Sequence, residues 1–121
     1  MKFNYRNKPK YNFMKNTRYA IEGFFCILKT EKSFRIELIF TILLVILLIL
    51  IDLSKVEKLI LFITYFLILI VEILNSAIEN TVDLCTNDIV PLAKNAKDIG
   101  ALAVMFSIVL HIICWILVLT L

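Results

Sequence analysis

The run LIFTILLVILLILI, Leu38 to Ile51, carries no charge and constrains this chain more than any other stretch. A helix built from it is apolar around its whole circumference, which suits a bilayer or the interior of a large core. No large core is available, because the chain has 121 residues, 61% of them hydrophobic, with two glycines and two prolines. That apolar surplus exceeds what a small soluble core hides, so the chain reads as an integral membrane protein. Two further stretches agree: Leu59 through Val71, continuing amphipathically to Leu84, and Ile99 to Leu121, apolar except for His111 and a few hydroxyls. A bilayer core takes about 20 helical residues, so the last stretch qualifies alone and the other two need their polar flanks. The expected fold is all-α, a single membrane-embedded domain over 1–121 with membrane helices at 34–51, 57–84 and 91–120.

Basic residues set the expected orientation. Of the 13 Lys and Arg, nine precede the first span: Lys2, Arg6, Lys8, Lys10, Lys15, Arg18, Lys29, Lys32 and Arg35. The positive-inside rule then puts the amino terminus, the Cys85–Asp98 segment and their polar residues in the cytoplasm, and the Asp52–Lys58 turn outside. Residues 1–14 form a basic arm, and 15–30 alternate apolar and charged residues too briefly for a span, as expected of an amphipathic helix lying in the interface. Pro91 suits the first turn of the last helix. The net charge of +3 is a matter of topology and anionic lipid, and no nucleic acid is expected as a partner. Cys26, Cys85 and Cys114 are far apart, with no CxxC, and read as ordinary thiols, Cys85 and Cys114 as small buried hydrophobes.

The costly feature is VEILNSAIENTVD, Val71 to Asp83. At about 100° per residue, Glu72, Asn75, Ser76, Glu79 and Asp83 fall within an arc of roughly 100° and form one polar stripe. Ionisable groups in or bordering a span cost roughly 2.5–3.5 kcal/mol each on insertion scales, which makes them functional candidates. Oxygen ligands with lysines nearby (Lys94, Lys97) suit a Mg²⁺-polyphosphate. Glu31, at the entrance to the first span, is placed to clamp a metal with Glu79 from a second helix. Glu72 lies about two turns deeper, at the level of a lipid head group, and is the candidate general base. Neither GxxxxGK[ST] nor GxGxxG is present, so a nucleotide site must be assembled from helix faces, with help from a second subunit. His111 reads as a hydrogen-bonded packing residue, and Trp115 as an interface anchor that can also border a lipid tail.

VEILNSAIENTVD followed by AKDIGALAV resembles the signature pair of the prokaryotic diacylglycerol kinase family. Upstream, Tyr19-x-x-x-Gly23 and Glu31-x-x-Phe34-Arg35-x-Glu37 resemble further family segments in the same order, so the likeness covers most of the chain. It implies three spans with a surface helix, a homotrimeric helical bundle, and a multi-pass place in the bacterial cytoplasmic (inner) membrane. It also implies transfer of the γ-phosphate of MgATP to the primary hydroxyl of diacylglycerol, giving phosphatidate. By matching position, Glu72 and Asn75 are catalytic, Glu31 and Glu79 bind metal and ATP, and Tyr19, Asp88, Lys97 and Asp98 contact the nucleotide. Ser33, Phe34, Arg35 and Glu37 match the lipid entrance, which Glu72 and Trp115 extend. Asn12 stands where the family often has arginine, Phe25 where a basic residue is common, and Leu102 at a position usually small. Related enzymes phosphorylate undecaprenol with the same core, and EILNSAIE is nearer the diacylglycerol branch. A small multidrug-type or proton-coupled carrier, the rival from another class, has no use for carboxylates and lysines gathered at the cytoplasmic rim.

Overall fold

A computed structural model describes residues 10–121. Residues 1–9, with Lys2, Arg6, Lys8 and most of the expected basic arm, lie outside the described residues. Four helices follow one another: α1 (Phe13–Thr30), α2 (Lys32–Leu50), α3 (Lys55–Cys85) and α4 (Pro91–Thr120). No strand occurs among the described residues, and α2, α3 and α4 are long and apolar enough to cross a membrane.

Local chemistry sets the helix ends. Helix α1 starts at Phe13, two residues before the expected position, because the Asn12 side chain accepts from the amides of Met14 (3.0 Å) and Lys15 (3.3 Å). Only Glu31, with φ −107° and ψ 111°, separates α1 from α2. Arg35 closes this elbow: its Nη1 donates to the carbonyls of Leu28 (2.9 Å) and Lys29 (3.0 Å), which the end of α1 leaves without helical partners. Phe34, 2% exposed, meets Phe24 of α1 edge to face at 6.1 Å. Helix α3 starts at Lys55 because Ser54 and Glu57 form a reciprocal capping box. Pro91 occupies the first turn of α4, where its missing N–H costs no hydrogen bond.

Helices α3 and α4, with 31 and 30 residues, are roughly 45 Å long at the helical rise of about 1.5 Å, against about 30 Å of hydrocarbon. About three turns of each therefore lie beyond what spanning requires, and at the end where the two helices join, those turns carry the polar residues. At the far end, Leu44 and Leu48 of α2 pack on Leu61 of α3, with Tyr65, Cys114, Trp115 and Val118 against them. Most other large apolar side chains, such as Ile39, Leu50 and Leu119, are exposed on the single chain, as lipid permits. Cys26 and Cys85 are exposed and Cys114 is half-buried, so the expectation that Cys85 packs as a small buried hydrophobe is corrected: it is the last residue of α3.

One polar chain crosses the far half of the α3/α4 contact. Trp115 Nε1 donates to His111 Nε2 at 3.0 Å, and His111 Nδ1 lies 2.8 Å from Thr64 Oγ1. Indole nitrogen only donates, so Nε2 is the acceptor and the proton of the neutral ring sits on Nδ1. Thr64 passes its own proton to the Ile60 carbonyl at 2.9 Å. Each group in the chain has a partner, as an apolar surround requires.

Candidate active site

The stripe on α3 grades from sealed to open. Glu72, Asn75 and Ser76 are buried, Glu79 is half-buried and Asp83 is exposed. Glu72 faces the first turn of α2, where Ser33 Oγ donates to its Oε1 at 2.5 Å. One turn on, Asn75 Nδ2 donates to Glu79 Oε1 at 3.2 Å, tying two stripe residues together. Asn75 Oδ1 is buried without a hydrogen-bond partner and points at Gly100 of α4. A Cβ on residue 100 would lie far inside van der Waals contact with that oxygen, so a glycine is required for α4 to approach here.

Beyond the stripe, the helix ends enclose a polar cavity of about 310 Å³ lined by Asp83, Asp88, Lys94, Lys97 and Asp98. Lys97 pairs with Asp83 across the interhelix turn, and Lys94 pairs with Asp98 at 2.5 Å within α4. A second, largely apolar cavity of about 460 Å³ lies between α1 and α3, with Thr30, Glu31, Ser76 and Asn80 among its polar contributions. Glu31 occupies the N-cap position of α2, yet its carboxylate makes no capping bond. Glutamate is one methylene too long to cap as aspartate does, which leaves its oxygens for the cavity.

The sequence-predicted residues thus divide. Asp88, Lys97 and Asp98 share the polar cavity, and Glu72, Asn75 and Glu79 form a continuous stripe. Glu31 lines the cavity between α1 and α3, whereas Glu79 lines neither cavity and accepts from Asn75. Among the described residues no three His, Cys, Asp or Glu side chains cluster as a metal site. Two carboxylates nonetheless fit Mg²⁺ that arrives on a polyphosphate, because such an ion takes most of its ligands from phosphate and water. Tyr19 is exposed on α1 and lines neither cavity.

Most of the expected lipid-entrance residues gather at the elbow between α1 and α2 and in the first turns of α2. Phe34 is buried against α1, and Arg35, exposed at its surface, donates to the carbonyls that end that helix, so both build the elbow. Glu37 is half-buried one turn below, with Oε2 sealed and unpartnered among the described residues. Trp115 lies beyond His111 in the far half. The Thr64 partner of His111 is eight residues from Glu72, about 12 Å along the axis, so Trp115 is remote from the base. The close approach at Gly100 went unseen in the sequence, although a glycine facing a polar stripe is a signal of it; the Lys97–Asp83 pair joins two residues that the sequence reading already set side by side.

Three membrane-length helices, a buried carboxylate stripe and a lysine–aspartate cavity at one end define a small integral membrane protein with its chemistry at the membrane boundary. Residues 18–119 match the family described as prokaryotic diacylglycerol kinase, and the chain belongs to that family of membrane kinases. A diacylglycerol kinase of Pseudomonas aeruginosa is 36% identical over 99 residues, covering 82% of this chain and 80% of its own. The diacylglycerol kinase of Escherichia coli K12 is 33% identical over 102 residues, 84% of each chain. An undecaprenol kinase of Bacillus subtilis is 37% identical over 102 residues, 84% of this chain and 83% of its own.

Proposed function

We propose that this chain transfers the γ-phosphoryl group of MgATP to the primary hydroxyl of diacylglycerol at the cytoplasmic face of the bacterial inner membrane. The observation that carries the proposal is the buried Glu72, tied through one turn of α3 to the Asn75–Glu79 pair and opening toward the lysine-lined cavity. A lipid hydroxyl arriving from the membrane and a polyphosphate arriving from water would meet along that stripe. The interfacial level also suits an acceptor whose tails remain in the bilayer.

Glu31 and Glu79 are the residues that would hold Mg²⁺, which neutralises phosphate oxygens when bound. Lys97, released from Asp83, supplies a further positive charge, and Asp88 and Asp98 border the same cavity. Asn75 keeps the Glu79 carboxylate in place through its amide. Glu72 takes the proton from the acceptor hydroxyl as the oxygen–phosphorus bond forms and the bond to ADP breaks. The lack of a glycine-rich nucleotide loop in the sequence supports a site completed by a second subunit, in a homotrimer.

The 37% identity to an undecaprenol kinase keeps a polyprenol acceptor as the second reading. Purified protein given radiolabelled ATP, with diacylglycerol and separately with undecaprenol, tests both. Label in phosphatidate supports the proposal, label only in undecaprenyl phosphate favours the second reading, and label in neither product contradicts both.

A further inference from the structure

Ser33 is the second residue of α2, where a serine hydroxyl ordinarily bonds the nearby backbone. Here it reaches α3 instead. Its Oγ donates to Glu72 Oε1 at 2.5 Å, across 39 residues of sequence, in a side-chain to side-chain hydrogen bond between α2 and α3. It is the only hydrogen bond that the Glu72 carboxylate accepts among the described residues. Glu72 is 8% exposed, yet its Oε2 is not among the sealed, unpartnered oxygens. One carboxylate oxygen is therefore held while the other stays reachable.

We infer that Ser33 is a positioning residue for the transfer step: it fixes Oε1 so that Oε2 faces the acceptor hydroxyl. The inference rests on the reading of Glu72 as general base. A carboxylate at the end of three side-chain torsions sweeps several orientations, and general-base catalysis requires one of them within hydrogen-bond reach of the acceptor. A donor on the neighbouring helix restricts that sweep. The elbow makes the restriction firm, because Arg35 and Phe34, immediately after Ser33, lock the first turn of α2 to α1. Ser33 thus acts through Glu72, which differs from the lipid contact that its sequence position implies.

The test is a set of variants in the full-length protein: Ser33→Ala, Ser33→Thr, Glu72→Gln, and Ser33→Ala combined with Glu72→Gln. Alanine is a good helix former at an exposed first-turn position, so the fold is not at risk. Ser33→Ala should lower kcat about ten-fold, the loss of one hydrogen bond to a charged group, with KM for MgATP unchanged. Ser33→Thr, which keeps the hydroxyl, should restore most of kcat. In the Glu72→Gln background, Ser33→Ala should cost nothing further, since its target is already disabled. Wild-type kcat in Ser33→Ala overturns the inference, as does a loss that threonine fails to rescue or that adds in full to Glu72→Gln. Transfer of label from ATP to Ser33 in the absence of lipid also overturns it, because the hydroxyl would then be an acceptor. If Glu72→Gln alone keeps full kcat, the reading of Glu72 falls. A dead Glu72→Gln with an unaffected Ser33→Ala removes only the role of Ser33.

Discussion

Gly100→Ala adds one methyl group where the structure has least room for it. The added Cβ would overlap Asn75 Oδ1 and come to 3.4 Å from Asn75 Cγ and 3.8 Å from Ile78 Cδ1, so the amide must move. Asn75 is buried on a rigid helix, and its Nδ2 bond to Glu79 at 3.2 Å cannot survive a large swing. Overpacking of this kind costs about 1–3 kcal/mol, while replacing glycine inside a helix returns about 1 kcal/mol. The net stability change is then about 0–2 kcal/mol, a modest drop in the thermal midpoint. Activity should fall much further, because a shift of about 1 Å in a catalytic constellation costs on the order of 10²-fold in rate. Gly23 serves as the stability control: a Cβ there meets nothing within 4 Å, so Gly23→Ala should hold or raise the midpoint. Steady-state phosphotransfer and thermal melts in one detergent supply both readings. Gly100→Ala with kcat within two-fold of wild type would refute the close approach and its role in holding Asn75.

Three further outcomes are expected. Lys97→Met should raise KM for MgATP by about 10–100-fold, the loss of a charge-assisted contact, while the melting midpoint changes little because the Lys97–Asp83 pair is partly open to solvent. His111→Leu leaves Trp115 Nε1 and Thr64 without their partner and should cost about 1–2 kcal/mol in the melt, with kcat unchanged because that network is remote from Glu72. Mixed oligomers of Glu72→Gln and Glu79→Gln chains should recover part of the activity that each homogeneous variant lacks. Recovery at the background level would remove the argument for a site shared between subunits.

Long apolar runs and their polar interruptions made the helices legible, because one helix suffices to define its own apolar stretches and its own stripe. Glu72, Asn75 and Ser76 sit on one buried face as the helical period requires. Contacts between helices were less legible. A helical wheel fixes relative angles on α3 but not which side of α2 or α4 comes to meet it, so Ser33 on Glu72 and Gly100 on Asn75 had to await the packing. Long side chains add reach that sequence position hides: Arg35 turns back seven residues to Leu28. Some local signals were present and went unread. Asn12 caps α1, and Ser54-x-x-Glu57 is a capping box in plain sequence, which is why α1 and α3 each begin two residues early.

The central claim is that Glu72 accepts the proton in the transfer step, and the most direct test is the pH–rate profile of Glu72→Gln beside its substrate binding. Glutamine keeps the size and the polar contact with Ser33 but cannot take the proton. The account predicts a kcat lower by about 10²–10⁴-fold, the range for a lost general base, with MgATP and lipid bound nearly as before and the corresponding limb of the profile gone. A variant that loses MgATP binding and keeps the wild-type limb would show Glu72 to be a ligand or a structural residue, and would contradict the account.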